Sequence, residues 1–237
     1  MDKLATEYLT LPDIKLAYRQ YGEGTPLILL HGNSESKNIF KHYQIGHFKD
    51  YHTIAIDSRG HGESISDDDA YSIDQYSDDV IAFCKAKGIE QAYVIGYSDG
   101  GNICLFLAKK APQIFTKIVA ISPNYLVSGT TDGALKLIKN ITKIFRILGK
   151  LGFNTNKYLM RFQLMLEDIG LSDEDLKSIN ASMMILYAEK DLIKEDHILQ
   201  MGRLIPNVRV QKIADCSHIT IYQKPDAIEA IKRFFAD

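Results

Sequence analysis

The sequence predicts an α/β fold built on a mostly parallel, eight-stranded sheet with helices on both faces. Three observations carry this. Five short apolar runs, at residues 27–30, 53–56, 93–95, 118–121 and 183–187, are each followed by a loop and most of them by a helical stretch. Strands that are apolar throughout, rather than alternating, belong in a parallel sheet covered on both sides. All six prolines fall at or outside the boundaries of these elements, where a missing N–H does least harm. Finally, 237 residues, 46% hydrophobic and 24% charged, suffice to enclose a substantial core.

The elements follow in order. Residues 7–11 and 14–21 alternate apolar and polar side chains around Pro12-Asp13, which reads as an antiparallel hairpin. The five apolar strands come next, and residues 208–213, more alternating, form a last strand nearer an edge. Ser72-Ile73-Asp74-Gln75 fits a capping box, Ile73, Tyr76, Val80 and Phe83 follow at helical spacing, and Gly88 supplies a stop. A second helix runs from Asp99 to Lys110 and ends before Pro112, and a last one begins near Pro225 with Ala227, Ile228, Ile231 and Phe234 facing the sheet.

One segment breaks the alternation. Between residues 124 and 180, after the sixth strand, no strand is evident, and residues 135–148, 157–167 and 173–179 look helical. The chain therefore divides into a core of residues 1–123 and 181–237 and a helical insertion at 124–180. In the first of these helices Lys136, Lys139, Lys143, Arg146 and Lys150 oppose Leu137, Ile138, Ile141, Ile144, Phe145 and Leu148. The pattern reads as a solvated basic face over an apolar underside, not as a membrane-binding helix.

Composition narrows the partners. A formal net charge of −2 offers no overall positive field for nucleic acid or an anionic membrane, so a small-molecule ligand is expected. Three cysteines, Cys84, Cys104 and Cys216, without CxxC pairing, suit free thiols in a reducing compartment. The first seven residues carry an early acid and no apolar core of a signal peptide, and no run of 18 apolar residues occurs. A cytoplasmic protein is expected, and the oligomeric state is open.

The chemistry is concentrated at Gly96-Tyr97-Ser98-Asp99-Gly100-Gly101, which follows an apolar strand and opens a helix, the context that gives G-x-S-x-G its meaning. A serine on so tight a turn adopts strained backbone angles, and side chains at Gly96 or Gly100 would collide across it. Serine is a weak nucleophile at neutral pH and needs a base, which in turn needs an orienting acceptor. Of seven histidines, His218 follows the last strand, and the C-terminal loops of parallel strands share one edge of the sheet with the Ser98 turn. His31 and His61 occupy that edge beside Gly32 and Gly62, where bracing a loop is the expected role. Asp191, at the end of the strand at 183–187, is the candidate acid, with Glu189 and Asp196 as rivals. Asp191 also fits a capping role on a helix beginning near Ile193. The Asp99 amide, at a helix N-terminus, is a candidate oxyanion donor.

These residues resemble the α/β-hydrolase superfamily. The resemblance is carried by His31-Gly32-Asn33, Asp57-Ser58-Arg59-Gly60-His61-Gly62-Glu63-Ser64, Gly96-Tyr97-Ser98-Asp99-Gly100, the strand ending in Asp191, and His218, and covers nearly the whole chain outside the insertion. It implies the chain order nucleophile, acid, base seen in Ser98, Asp191 and His218, a second oxyanion donor from the Asn33 backbone, and a structural role for the turn at 57–64. It also implies that residues 124–180 form a helical cap that shapes the substrate pocket. The expected activity is that of a serine hydrolase, a carboxylesterase acting on small soluble esters without cofactor or metal. A carbon–carbon bond hydrolase of the same fold, or a non-hydrolytic receptor that keeps the triad, is the alternative.

Overall fold

A computed structural model describes residues 4–66 and 71–237. The hairpin comprises β1 (Glu7–Thr10) and β2 (Ile14–Tyr21), followed by β3 (Pro26–Leu30), β4 (His52–Ile56) and β5 (Ile65–Ser66). Then come α1 (Ile73–Ala86), β6 (Ala92–Tyr97), α2 (Asp99–Lys110) and β7 (Phe115–Ile121). The insertion contributes α3 (Asp132–Lys150), α4 (Asn156–Leu164) and α5 (Asp173–Lys177). β8 (Ser182–Lys190), α6 (Glu195–Leu204), β9 (Val208–Ser217) and α7 (Pro225–Ala236) complete the chain.

The strands form one sheet in the order β1-β2-β4-β3-β6-β7-β8-β9. β2 is antiparallel to both its neighbours, and every pairing from β4 to β9 is parallel. Eight strands were expected, and the ninth is β5. Its two residues pair with Ile14 and Lys15 of β2, the end of β2 that β4 does not reach. Two residues between turns carry no periodicity, so only the return of the chain to the sheet creates this strand.

Successive residues of the central strands point into opposite cores. Ile28 and Leu30 pack with residues of α1, α2 and α6, whereas Leu27 and Leu29 pack with α7 and with Phe40, Tyr43 and Phe48. Burial on both faces explains why these strands read as unbroken apolar runs. At the start of α1, Ser72 accepts the Gln75 amide as foreseen, but the Gln75 side chain turns toward Asp79 at 3.5 Å instead of closing a capping box. The turn at 57–64 is a buried brace. The Asp57 carboxylate accepts from the Lys37 ammonium at 2.7 Å and from the Lys37 and Glu63 amides, and Arg59 pairs with Asp79 at 2.8 Å.

The insertion departs from expectation on α3. Ile138, Ile141, Phe145 and Leu148 are half-buried, but Leu137 and Ile144, assigned to the same underside, face outward. The apolar arc of this helix is wider than its seat on α4 and the pocket can cover, so part of it is left in solvent. α5, by contrast, packs on α2 and α6, with Leu171, Leu176 and Ile179 inside the core that α2 also enters. Among the described residues no helix is long and apolar enough to cross a membrane.

Candidate active site

The sheet register runs straight into the candidate residues. The Ser98 amide donates to Ile121 O of β7 at 2.8 Å, the Ser122 amide to Leu186 O of β8 at 2.7 Å, and the His218 amide to Lys190 O at 3.2 Å. Three chain ends are thus held side by side by backbone hydrogen bonds at one edge of the sheet.

Ser98 sits between β6 and α2 with φ 54° and ψ −117°, a conformation that L-residues avoid. The turn is tight enough that a Cβ on Gly96 would run into the Gly100 carbonyl. A Cβ on Gly100 would strike Leu30 O at the end of β3, so this glycine is required by the neighbouring strand and not by the turn itself. Gly32 likewise lets its loop approach Ser98, since a Cβ there would lie 3.1 Å from that of Ser98.

Ser98 Oγ is 3.1 Å from His218 Nε2, and His218 Nδ1 is 2.6 Å from Asp191 Oδ1. His218 is buried, and Tyr97 donates its hydroxyl to the His218 carbonyl at 3.0 Å. Asp191 Oδ1 also accepts the Ile193 amide at 3.1 Å, while Oδ2 accepts from the Ala188 amide at 2.8 Å and the Ser122 hydroxyl at 2.6 Å. Burial pushes this carboxyl up, but the hydrogen bonds from His218, Ser122 and Ala188 outweigh it and hold Asp191 below its ordinary range. It is therefore ionised wherever His218 needs an anion to orient its ring. The rivals lie elsewhere. Glu189 accepts the Asp215 amide at the surface, and Asp196 is exposed in the first turn of α6. Asp191 does not cap α6, whose N-cap is Lys194.

Three other buried histidines have structural partners. His31 Nδ1 lies 2.7 Å from Gly32 O while Nε2 accepts the Ser58 amide, so its two nitrogens tie adjacent loops together. His61 Nδ1 contacts Arg59 O at 3.0 Å, and burial pulls its pKa down to about 3. His197 stacks on Tyr125 and accepts its amide.

The Asn33 and Asp99 amides donate to no other protein group among the described residues. The Asn33 side chain instead donates to Asp99 Oδ2 at 2.9 Å and to Arg161 O of α4 at 2.8 Å, linking the loop after β3, the Ser98 turn and the insertion. Burial raises the Asp99 carboxyl to about 6, with the Asn33 hydrogen bond opposing the shift. Ser98, Asp99 and His218 line a pocket together with the polar residues Asn102 and Asn124. Its walls include Ala134 and Ile138 of α3, Leu164 and Met165, and Leu192 and Ile193 after β8. Apolar walls around a few convergent polar groups are the usual make-up of a small-molecule pocket.

Residues 25–139 match the family model described as alpha/beta hydrolase fold. The chain has the α/β-hydrolase fold. It is 26% identical to the AB hydrolase superfamily protein YisY of Bacillus subtilis, over 94% of this chain and 96% of that one. A 113-residue stretch is 36% identical to 3-oxoadipate enol-lactonase 2 of Acinetobacter baylyi, covering 47% of this chain and 42% of the relative. Among solved structures, the meta-cleavage product hydrolase CumD of Pseudomonas fluorescens superposes with a TM-score of 0.78 at 23% identity, over 94% of each chain. That last likeness is one of fold.

Two groups that touch the site escaped the sequence. Ser122 holds Asp191 from a left-handed conformation, φ 53°, at the end of β7. Glu35 accepts the Gly32 amide at 3.1 Å, its carboxyl raised by burial. Nothing local marks either one, since a serine before a proline and an acid in a turn are ordinary turn residues.

Proposed function

We propose that this protein is a serine hydrolase, specifically a carboxylesterase of small soluble esters. The observation that carries the reading is the relay Ser98 Oγ, His218 Nε2, His218 Nδ1, Asp191 Oδ1, with steps of 3.1 and 2.6 Å. Ser98 Oγ attacks the ester carbonyl while His218 Nε2 takes its proton. Asp191 fixes the imidazole with its proton on Nδ1 and stabilises the imidazolium that forms. The negative charge on the former carbonyl oxygen is met by the Asn33 and Asp99 amides, the latter favoured by the N-terminal end of α2. Collapse expels the alcohol, which receives the proton from His218, and water then attacks the acyl-enzyme by the reverse transfer. In this reading the 124–180 insertion is the cap, its α3 and α4 closing the pocket over Ser98. The lactonase likeness supports ester cleavage, because a lactone is an internal ester.

The test is fluorophosphonate labelling followed by peptide mass spectrometry, together with turnover of p-nitrophenyl acetate and butyrate. A stable adduct on Ser98, many product equivalents per protein and a loss of at least about 10³-fold in Ser98→Ala are expected. No adduct, or a single burst without turnover, would refute the hydrolase reading. The second reading is a carbon–carbon bond hydrolase, favoured by 24% identity over 91% of this chain to 2-hydroxy-6-oxo-6-phenylhexa-2,4-dienoate hydrolase of Comamonas testosteroni. Faster cleavage of vinylogous diketones than of esters would select it.

A further inference from the structure

The outward side of α3 is apolar where solvent meets it. Leu137, Ile144, Ile147 and Leu151 are 58%, 56%, 49% and 69% exposed, and Phe153 just beyond the helix is 62% exposed. At about 100° per residue, Leu137, Ile144 and Leu151, each seven residues from the next, lie in one line along the helix and its C-terminal end. The covered line, with Ala134, Ile138, Thr142 and Phe145, lies on a different side.

Beyond the exposed stripe run Lys136, Lys139, Lys143, Arg146 and Lys150, and the one acid in α3 is Asp132 at its first position. None of these five cations makes an ion pair among the described residues, and four of them line an open groove of about 470 Å³. Two arguments choose the occupant. A second copy of this chain would bring five more cations against five, and nothing on this face would neutralise them. An anionic bilayer satisfies both features, because its acyl boundary takes the apolar stripe and its phosphates take the cations. The net charge of −2 does not oppose this, since attraction to a charged surface is felt within a Debye length of roughly 10 Å.

The sequence pattern alone reads α3 as a solvated helix with a covered apolar underside and not as a membrane binder, but Leu137 and Ile144 of that underside are exposed. We infer instead that α3 is a docking surface for an anionic lipid bilayer, with Leu137, Ile144, Ile147, Leu151 and Phe153 entering the headgroup–acyl boundary and the five cations facing lipid phosphates. The inner side of the same helix supplies Ala134 and Ile138 to the pocket, so docking sets the pocket roof against the lipid surface. This goes beyond the esterase reading and does not rest on it.

Co-sedimentation with vesicles of phosphatidylcholine, with and without an equal part of phosphatidylglycerol, tests the inference. The full chain binds the mixed vesicles at low salt, releases as salt rises, and leaves neutral vesicles largely unbound. Lys139→Gln and Lys143→Gln each weaken partitioning about five-fold, and Ile144→Asp combined with Leu151→Asp abolishes it. Because all four side chains are exposed, the circular dichroism spectrum and the unfolding midpoint stay as in the parent chain. Equal binding to neutral vesicles, binding indifferent to these substitutions, or no binding overturns the inference. So does a dimer in light scattering that Ile144→Asp dissolves, or retention on polyglutamate without vesicle binding, which would assign the face to a protein.

Discussion

Replacing Ser122 with alanine removes one of four hydrogen bonds to the Asp191 carboxylate, whose side chain is 2% exposed. A hydrogen bond to a buried charge contributes about 1.5–3 kcal/mol, so Ser122→Ala should lose that much stability. For a chain of this length the loss corresponds to a fall of about 3–12 °C in Tm. Glycine separates this effect from backbone strain. Ser122 has φ 53°, which costs an L-residue about 1–2 kcal/mol. Ser122→Gly loses the same hydrogen bond but relieves that strain, and is expected to be more stable than Ser122→Ala by about 1 kcal/mol or more. Both variants should lower kcat on p-nitrophenyl butyrate by up to about 10-fold with KM unchanged, because Ser122 orients the Asp191 carboxylate and does not line the pocket. Thermal unfolding followed by circular dichroism, with steady-state kinetics on p-nitrophenyl butyrate, makes the measurement. An alanine variant as stable as the glycine variant, or a rise in KM with kcat intact, would refute the reasoning.

Gly100→Ala should destabilise the chain by more than about 3 kcal/mol or leave it insoluble, because its methyl group meets backbone at Leu30 and has no side chain to displace; soluble protein with a parental midpoint would contradict this. Lys37→Met strips the Asp57 carboxylate of its buried cation and should cost about 3–5 kcal/mol in urea unfolding, whereas a change below about 1 kcal/mol would show that the two backbone amides suffice. The raised Asp99 carboxyl binds its proton more tightly folded than unfolded, so it lowers stability as pH climbs from the ordinary carboxylate range through about 6. Asp99→Asn should therefore gain on the parent over that window, by about 3 kcal/mol or less at neutral pH, and parallel stability curves would disprove it. Asp191 has the opposite sign. Its depressed carboxyl contributes stability above the ordinary carboxylate range that is lost as acid protonates it, so Asp191→Asn should flatten the acid limb of a stability–pH profile.

What could be read in the sequence was whatever rests on local pattern. Strands buried on both faces are apolar at every position, as Leu27 to Leu30 are, and helices begin at residues such as Ser98, Ser72 and Pro225 with their own backbone reasons. The chain order of Ser98, Asp191 and His218, with each residue just past a strand, was legible because parallel strands deliver their ends to one edge. Contacts between distant segments were not. β5 forms where the chain returns to the end of β2 that β4 does not reach, Ser122 reaches Asp191 across 69 positions, and Asn33 joins α4 across 128. The periodicity of α3 announced an amphipathic helix but not which part of its apolar arc would be covered, because that depends on the width of its seat. Sequence alone determined the layering of the sheet and the strand ends at which the candidate residues Ser98, Asp191 and His218 stand, since these follow from period and chain direction. Only the tertiary structure decided how the acid is held, what lines the pocket and which side of α3 meets solvent, because each depends on distances between residues that the chain does not place near one another.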